Sequence, residues 1–281
     1  MLQAMLDIAT VAPELRAVPY GAARNSDWLS SDPRVQMLQH AQVVGADGRV
    51  ATAVEHRLRV LGAPDVEVAM LIASGPLRWP GPIDVDRPET WERRVPDNQM
   101  HAILARRNNR WVSAVRVGQE ITIDEFDNDG PCAPWLRDII IGQLDGISPA
   151  GPSRLEPMNF PYDDIVDAGA DGYGDPRLLR RIGVPDSATA ELADLLTNPH
   201  AEAVMYARAF VDARQVRGAC ALDLRDGDGG RLALYRMPPR RGSTQDWMTI
   251  APATPGQVLS GVQAVLSSVA VPDWDRHCRM R

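Results

Sequence analysis

Apolar and polar positions alternate most clearly between Met100 and Phe126, in the run MHAILARRNNRWVSAVRVGQEITIDEF. Ile103/Ala105, Trp111/Ser113/Val115/Val117 and Ile121/Ile123 fall on every second position, the period of a half-buried strand. Asn108-Asn109 stands where a two-residue hairpin turn needs residues tolerant of positive φ, and Gly118-Gln119 suits a second turn. The stretch therefore predicts a three-stranded meander. The rhythm returns in AEAVMYARAFVDARQ, RGACALDLRDGDGG and RLALYRM, from Ala201 to Met237. Two meanders predict two related halves, residues 1–147 and 148–281, that share one sheet and so form a single domain.

Between the meanders the period changes to that of helices. Leu2, Met5 and Leu6 have helical spacing, Asp32-Pro33 can open a helix with proline in its first position, and Val54, Leu58 and Leu61 mark another that ends near Gly62 and Pro64. Leu136, Ile139, Ile140 and Leu144 give the segment from Cys132 an apolar side. Pro176 to Ile182 and Ser187 to Leu196 read as a helical hairpin, with Asp186 or Ser187 as cap, and Thr254 to Val269 as a last amphipathic helix. ELRAV, between Pro13 and Pro19, reads as a short strand. The stretch from Ser148 to Tyr173, rich in Gly, Pro and Asp, divides the halves, and the tail DWDRHCRMR reads as frayed.

The longest irregular stretch, Ser74 to Gln99, carries five prolines and both Trp79 and Trp91. A loop of this length inside a domain is functional or disordered. Large apolar rings favour a partner surface, so Trp79 and Trp91 are candidate contact residues that a partner would order; the alternative is that both fold back on their own domain.

Composition removes several function classes. The 281 residues carry a net charge of −7, which argues against nucleic acid or an anionic membrane surface as partner. All 30 basic residues are arginine, so charged contacts would use planar, bidentate guanidinium groups. Cys132, Cys220 and Cys278 form no paired motif, so neither a disulfide framework nor a zinc site is signalled. The N-terminus lacks a basic leader, and no run reaches the ~18 apolar residues of a membrane span, so the chain is expected in the cytoplasm. Glu125, Asp127, Asp129 and Gly130 imitate the start of a calcium loop, but Leu136 stands where a bidentate Glu is required. DGDGG lacks a phosphate-loop lysine, no G-x-S-x-G occurs, and the five histidines are scattered. The residues thus point away from an enzyme, a metal or a cofactor.

In order along the chain, MLQAMLDI, VAPELR, NSDWL, RVLGAPDVEV, VPDN, ILARR, WVSAVRVG, ITID, DPRLLRRIGVP, MYARAF, DGDGGRLALY and APATP resemble the EspG family, cytosolic chaperones of the mycobacterial type VII (ESX) secretion systems. The likeness is nearest to the branch that serves the fifth such system. It implies an α+β fold with quasi-two-fold symmetry, in which a curved, mainly antiparallel central sheet is flanked by two helical bundles. It also implies a function without catalysis: binding the PPE tip of a PE–PPE heterodimer in a 1:1:1 complex, keeping it soluble and delivering it for export. A secretion-machinery ATPase and a second copy of the chain are the further partners it allows. Site residues carried over by the resemblance are Arg93, ahead of the matching VPDN, and Asp124, at the end of ITID. Gln215 follows MYARAF where relatives tend to carry a lysine, and Arg214 beside it can supply the charge. Relatives also carry a basic residue where this chain has Ala9-Thr10. They usually place a strand and part of a helix before the MLQ-like segment; a sheet edge without that strand is expected to favour dimerisation. Other readings are a non-catalytic regulatory module on the same fold, and a hydrolase whose site is assembled only in space.

Overall fold

In the computed structural model, which describes residues 1–17, 32–78, 95–169, 174–212, 214–239 and 244–279, three helices begin by one local rule. An oxygen-bearing side chain precedes proline: Asp32 accepts from the Arg34 amide (2.9 Å), Asp175 from the Arg177 amide (2.8 Å) and Thr254 from the Gln257 amide (3.3 Å). Proline then fills the first helical position, where its missing N–H is not needed.

In chain order, α1 (Leu2–Met5), a 3-10 turn (Pro13–Leu15), α2 (Pro33–His40) and α3 (Thr52–Gly62) lead to β1 (Val66–Ser74). The first meander is β2 (Gln99–Arg107), β3 (Arg110–Val117) and β4 (Glu120–Phe126), followed by α4 (Cys132–Asp145). Asn108 and Asn109, at φ 49° and 64°, make its first turn as the sequence predicts. Next come β5 (Met158–Pro161), α5 (Tyr162–Gly169), α6 (Pro176–Arg181) and α7 (Asp186–Thr197). The second meander is β6 (Ala201–Val211), β7 (Arg214–Gly227), β8 (Gly230–Met237) and β9 (Trp247–Pro252), and α8 (Pro255–Ser267) closes the series.

Among the described residues nine strands join one sheet in the order β4-β3-β2-β1-β6-β7-β8-β9-β5, and every neighbouring pair is antiparallel. Each meander runs outward from the central pair, β1 against β6. In strand order and chain order, β1–β4 correspond to β6–β9, α3 to α7 and α4 to α8, a quasi-two-fold arrangement about the central pair that leaves β5 without a counterpart. The α+β class and the quasi-two-fold design expected from the chain are therefore the observed ones.

Helices cover the sheet unequally. On the first face α4 and α8 pack together over the middle, enclosing Val68, Met70, Leu104, Met205, Leu222, Val262 and Leu136. On the second face α1–α3 and the 3-10 turn cover the N-terminal strands, while α5–α7 cover β8, β9 and β5. β2 is buried on both faces from His101 to Arg106, so the period-2 alternation there marks two cores rather than one wet face. Outward positions of the meander are concentrated on edge strand β4.

Four local expectations are corrected. ELRAV begins as a 3-10 turn and not a strand: Arg16 adopts φ 47°, and the Glu14 and Leu15 carbonyls turn in to meet His101 Nδ1 (2.8 Å) and Arg116 Nη1 (2.5 Å). The divider at 148–173 holds β5 and α5, because Phe160 and Ile165 are apolar at positions that complete the C-terminal core. α7 has no side-chain cap; Pro185 is its N-cap residue, and Asp186 instead accepts from Arg180 Nε (2.7 Å).

The fourth is the tail, which is a strap and not a frayed end. Buried Arg106, stacked over the Trp111 ring at 5.6 Å, donates to the carbonyls of Trp274 (2.9 Å), Asp275 and His277 (2.8 Å). His277 Nε2 reaches the Phe210 carbonyl (3.0 Å), and the Arg279 amide donates to Asp65 (3.2 Å). Arg106→Ala is expected to cost about 2–3 kcal/mol, because buried carbonyls lose a charged donor. Urea midpoints and faster proteolysis of the last ten or so residues check this.

A candidate docking groove on strand β7

The first half of β7 leaves its neighbours. β8 pairs only with Leu222 to Gly227, so Arg214 to Ala221 has β6 on one side and no strand on the other among the described residues. Register breaks here too: Tyr206 pairs with Ala221 and Arg208 with Arg217, which leaves Gly218, Ala219 and Cys220 opposite Ala207. Such a bulge turns side chains outward and strengthens the local twist. Gly218 is required at it, since a Cβ there would lie 2.5 Å from Ser268 Oγ and 3.2 Å from the Ala207 carbonyl. The Cys220 amide donates to Ser268 Oγ (3.1 Å), which ties the bulge to the end of α8.

The consequence is an open strip on the second face, between the two helical groups. Gln215, Arg217, Ala219 and Ala221 point into it and are exposed, with Tyr206 and Phe210 half-buried beside them on β6. Alanine on alternate positions makes a shallow floor that lets another chain approach the backbone closely. Arg236, which stacks on the Tyr162 ring at 4.2 Å and is ion-paired with Asp246, stands at the C-terminal wall.

Charge is organised around that floor. On the N-terminal side Arg208 is buried and bound to two carboxylates: Nη2 donates to Glu14 Oε2 (2.5 Å) and Nε to Glu67. Tyr206 Oη donates to Glu14 Oε1 (2.5 Å). Burial pushes Glu14 up, but the Arg208 hydrogen bonds and charge outweigh it and hold the carboxyl below its usual range. Glu67 is moved above its usual range by burial, which the Arg208 charge only partly offsets. On the C-terminal side Arg225 donates to Asp223 Oδ2 (2.9 Å), Glu202 Oε1 (3.1 Å) and the Leu196 carbonyl of α7 (2.5 Å). Glu202 Oε2 also accepts from the Leu77 amide (2.8 Å).

Of the residues singled out from sequence, Arg214 and Gln215 lie at the tip of this groove, both exposed, with Gln215 Oε1 accepting from Arg217 Nε (3.3 Å). Asp124 is exposed but elsewhere. It stands opposite Ser113 on edge strand β4, on the face that α4 and α8 occupy. Five strand spacings, ~24 Å at ~4.8 Å each, separate β4 from β7. Arg93, Trp79 and Trp91 lie outside the described residues. The sequence reading did not pick out Ala219, Ala221, Asp223 or Arg225. Its available signal was the small-residue run Gly218-Ala219-Cys220-Ala221 inside a strand, which marks a bulge or a close approach.

A sequence model described as the EspG family matches residues 2–264. The chain belongs to the EspG family. Among EspG relatives, the ESX-5 secretion-associated protein EspG5 of Mycobacterium marinum is 38% identical, aligned over 100% of this chain and 94% of its own length. EspG5 of Mycobacterium tuberculosis is 37% identical over the same shares. A solved structure of the type VII secretion system chaperone EspG5 of Mycobacterium tuberculosis, in complex with a PE25-PPE41 dimer, superposes with a TM-score of 0.83 at 35% identity, covering 99% of this chain and 96% of that one. The EspG fold thus extends over essentially the whole molecule.

Proposed function

We propose that this protein is a chaperone of type VII secretion, of the kind that serves the fifth ESX system. It binds a PE–PPE heterodimer in a 1:1:1 complex through the PPE tip and keeps that tip soluble until export. The observation that carries this reading is the uncovered strip of β7 in a chain that matches, end to end, a chaperone solved with such a dimer. A tip that would otherwise self-associate is an exposed apolar patch, and masking it removes an aggregation route. The groove provides what an interface of that kind needs: a floor of small residues, half-buried aromatic side chains at Tyr206 and Phe210, and an arginine-rich rim at Arg214, Arg217 and Arg236.

The role involves no catalytic step and is carried out in the cytosol. Among the described residues no helix is long and apolar enough to cross a membrane. Arg214 and Gln215 act at the groove's tip. Asp124 contacts the client only if the interface wraps the sheet edge, and Arg93, Trp79 and Trp91 supply contacts from the stretch of sequence between β1 and β2.

Co-expression with a panel of PE–PPE pairs, including PE25–PPE41, tests the proposal. Size-exclusion chromatography with light scattering is expected to show a three-chain complex of equal stoichiometry. Failure to retain any pair in the panel would overturn it.

A further inference from the structure

Asp223 is the one carboxylate that meets the exposed floor of the groove from within β7. It lies two residues from Ala221 on the same face, with Val204 across on β6 and Leu234 across on β8. Its flanks are therefore apolar. Oδ2 is taken by Arg225, but Oδ1 has no hydrogen-bond partner and no accessible surface, although the side chain as a whole is 22% exposed. Arg225 is shared with Glu202, so two carboxylates draw on one guanidinium.

A desolvated carboxylate oxygen left without a donor is costly, and such groups in native structures call for a reason. Burial, with the Glu202 charge adding and the Arg225 charge opposing, pushes Asp223 up to about 6. The groups that face it are Arg225 on its own strand, Glu202 on β6 and, through Arg225, the Leu196 carbonyl of α7; its β8 neighbour, Leu234, carries no charge. The terminal torsion of an aspartate is broad, which lets the carboxyl turn toward Ala221.

We propose that Asp223 is the specificity-determining carboxylate of the groove, accepting a hydrogen bond from a nitrogen donor on the partner's tip that enters over Ala219 and Ala221. The inference rests on the groove being the client's docking site. It adds a chemical requirement: the tip must carry an N–H donor, from side chain or backbone, where it crosses the end of the alanine floor. A free Oδ1 is then the unfilled half of an interface, and the partner satisfies it. Because the acceptor is the ionised form, binding is linked to pH. Protonation removes the acceptor, so affinity falls as pH drops through about 6.

The experiment uses the full chain and the PE–PPE pair retained in the co-expression panel, with affinity measured by calorimetry between about pH 5 and pH 7.5. Wild type is expected to lose affinity toward the acid end. Asp223→Asn keeps an oxygen for Arg225 and turns its amide NH2 toward the partner, donor against donor. It is expected to bind ~10-fold or more weakly at neutral pH and to show a flat profile across the range. Its thermal midpoint at neutral pH should be at or above wild type, because a carboxyl whose pKa is raised by folding disfavours the fold when ionised; this separates lost recognition from lost folding. Binding within two-fold of wild type with an unchanged pH profile would overturn the role of Asp223. Ala221→Arg is the control for the site itself: if it binds normally, the groove reading fails, and the Asp223 inference fails with it.

Discussion

Arg208→Leu is expected to destabilise the protein by about 3–5 kcal/mol, the cost of leaving buried carboxylates without their guanidinium. Arg208 is 2% exposed and binds Glu14 and Glu67, whose side chains are 10% and 2% exposed. At roughly 2–4 °C per kcal/mol for a chain of this size, the melting midpoint falls by about 10 °C. The pH dependence of the loss distinguishes this mechanism from lost packing. In wild type, Glu14 has a folded pKa below its ordinary value. It therefore contributes stability above the unfolded pKa of about 4.3, and this is lost as pH falls through the depressed folded value. Glu67 has the opposite sign: its raised folded pKa disfavours folding above that value, and this relaxes on acidification. Without Arg208 both carboxyls behave as Glu67 does. The deficit of Arg208→Leu should therefore be greatest at neutral pH and shrink toward pH ~4. Thermal melts across this range decide it; a deficit independent of pH would assign the loss to packing alone.

Ala221→Arg is expected to weaken the complex with a PE–PPE pair by ~100-fold, roughly 2.8 kcal/mol at 1.4 kcal/mol per decade. Ala221 is exposed in the floor of the groove, and its cross-strand neighbour on β6 is Tyr206. An arginine there fills the strip with a long charged side chain but leaves the buried face of β7, held by Cys220, Leu222 and Leu224, unchanged. Stability should stay within about 0.5 kcal/mol of wild type, as for other surface substitutions. A calorimetric titration with a thermal melt of the same sample gives both numbers. Equal weakening from Asp124→Arg, on the far edge of the opposite face, would show that the client wraps the sheet edge as well.

Stability and recognition divide along β6 and β7. Arg208, on the covered side of β6, is surrounded by acids from the 3-10 turn and β1, so its charge serves the fold. Arg217, its cross-strand neighbour, is exposed on the open side and can serve a partner. The bulge at Gly218 separates the two uses, because it carries β7 away from β8 and opens the strip.

How much of this could be read from the residues depended on the range of the interaction involved. Turn chemistry and caps are local, so Asn108-Asn109 and Asp32-Pro33 could be placed directly, and two meanders implied two related halves. Motif order along the chain implied the EspG family, its fold and its kind of partner. ELRAV was misread as a strand because its conformation is set by distant donors at His101 and Arg116. The tail was misread because a single guanidinium, Arg106, gathers three carbonyls from ~170 residues further along, a closure that no local pattern encodes. Alternation on β2 could not reveal that both its faces are covered, since period 2 gives the direction of side chains and not what packs on them. The sequence by itself determined where most strands, turns and helices lie, and what kind of protein this is. Only the tertiary structure decided which strand stays open. An uncovered strip is a property of what fails to pack over β7, and that is settled by sheet order, a register break and the placement of two helical groups.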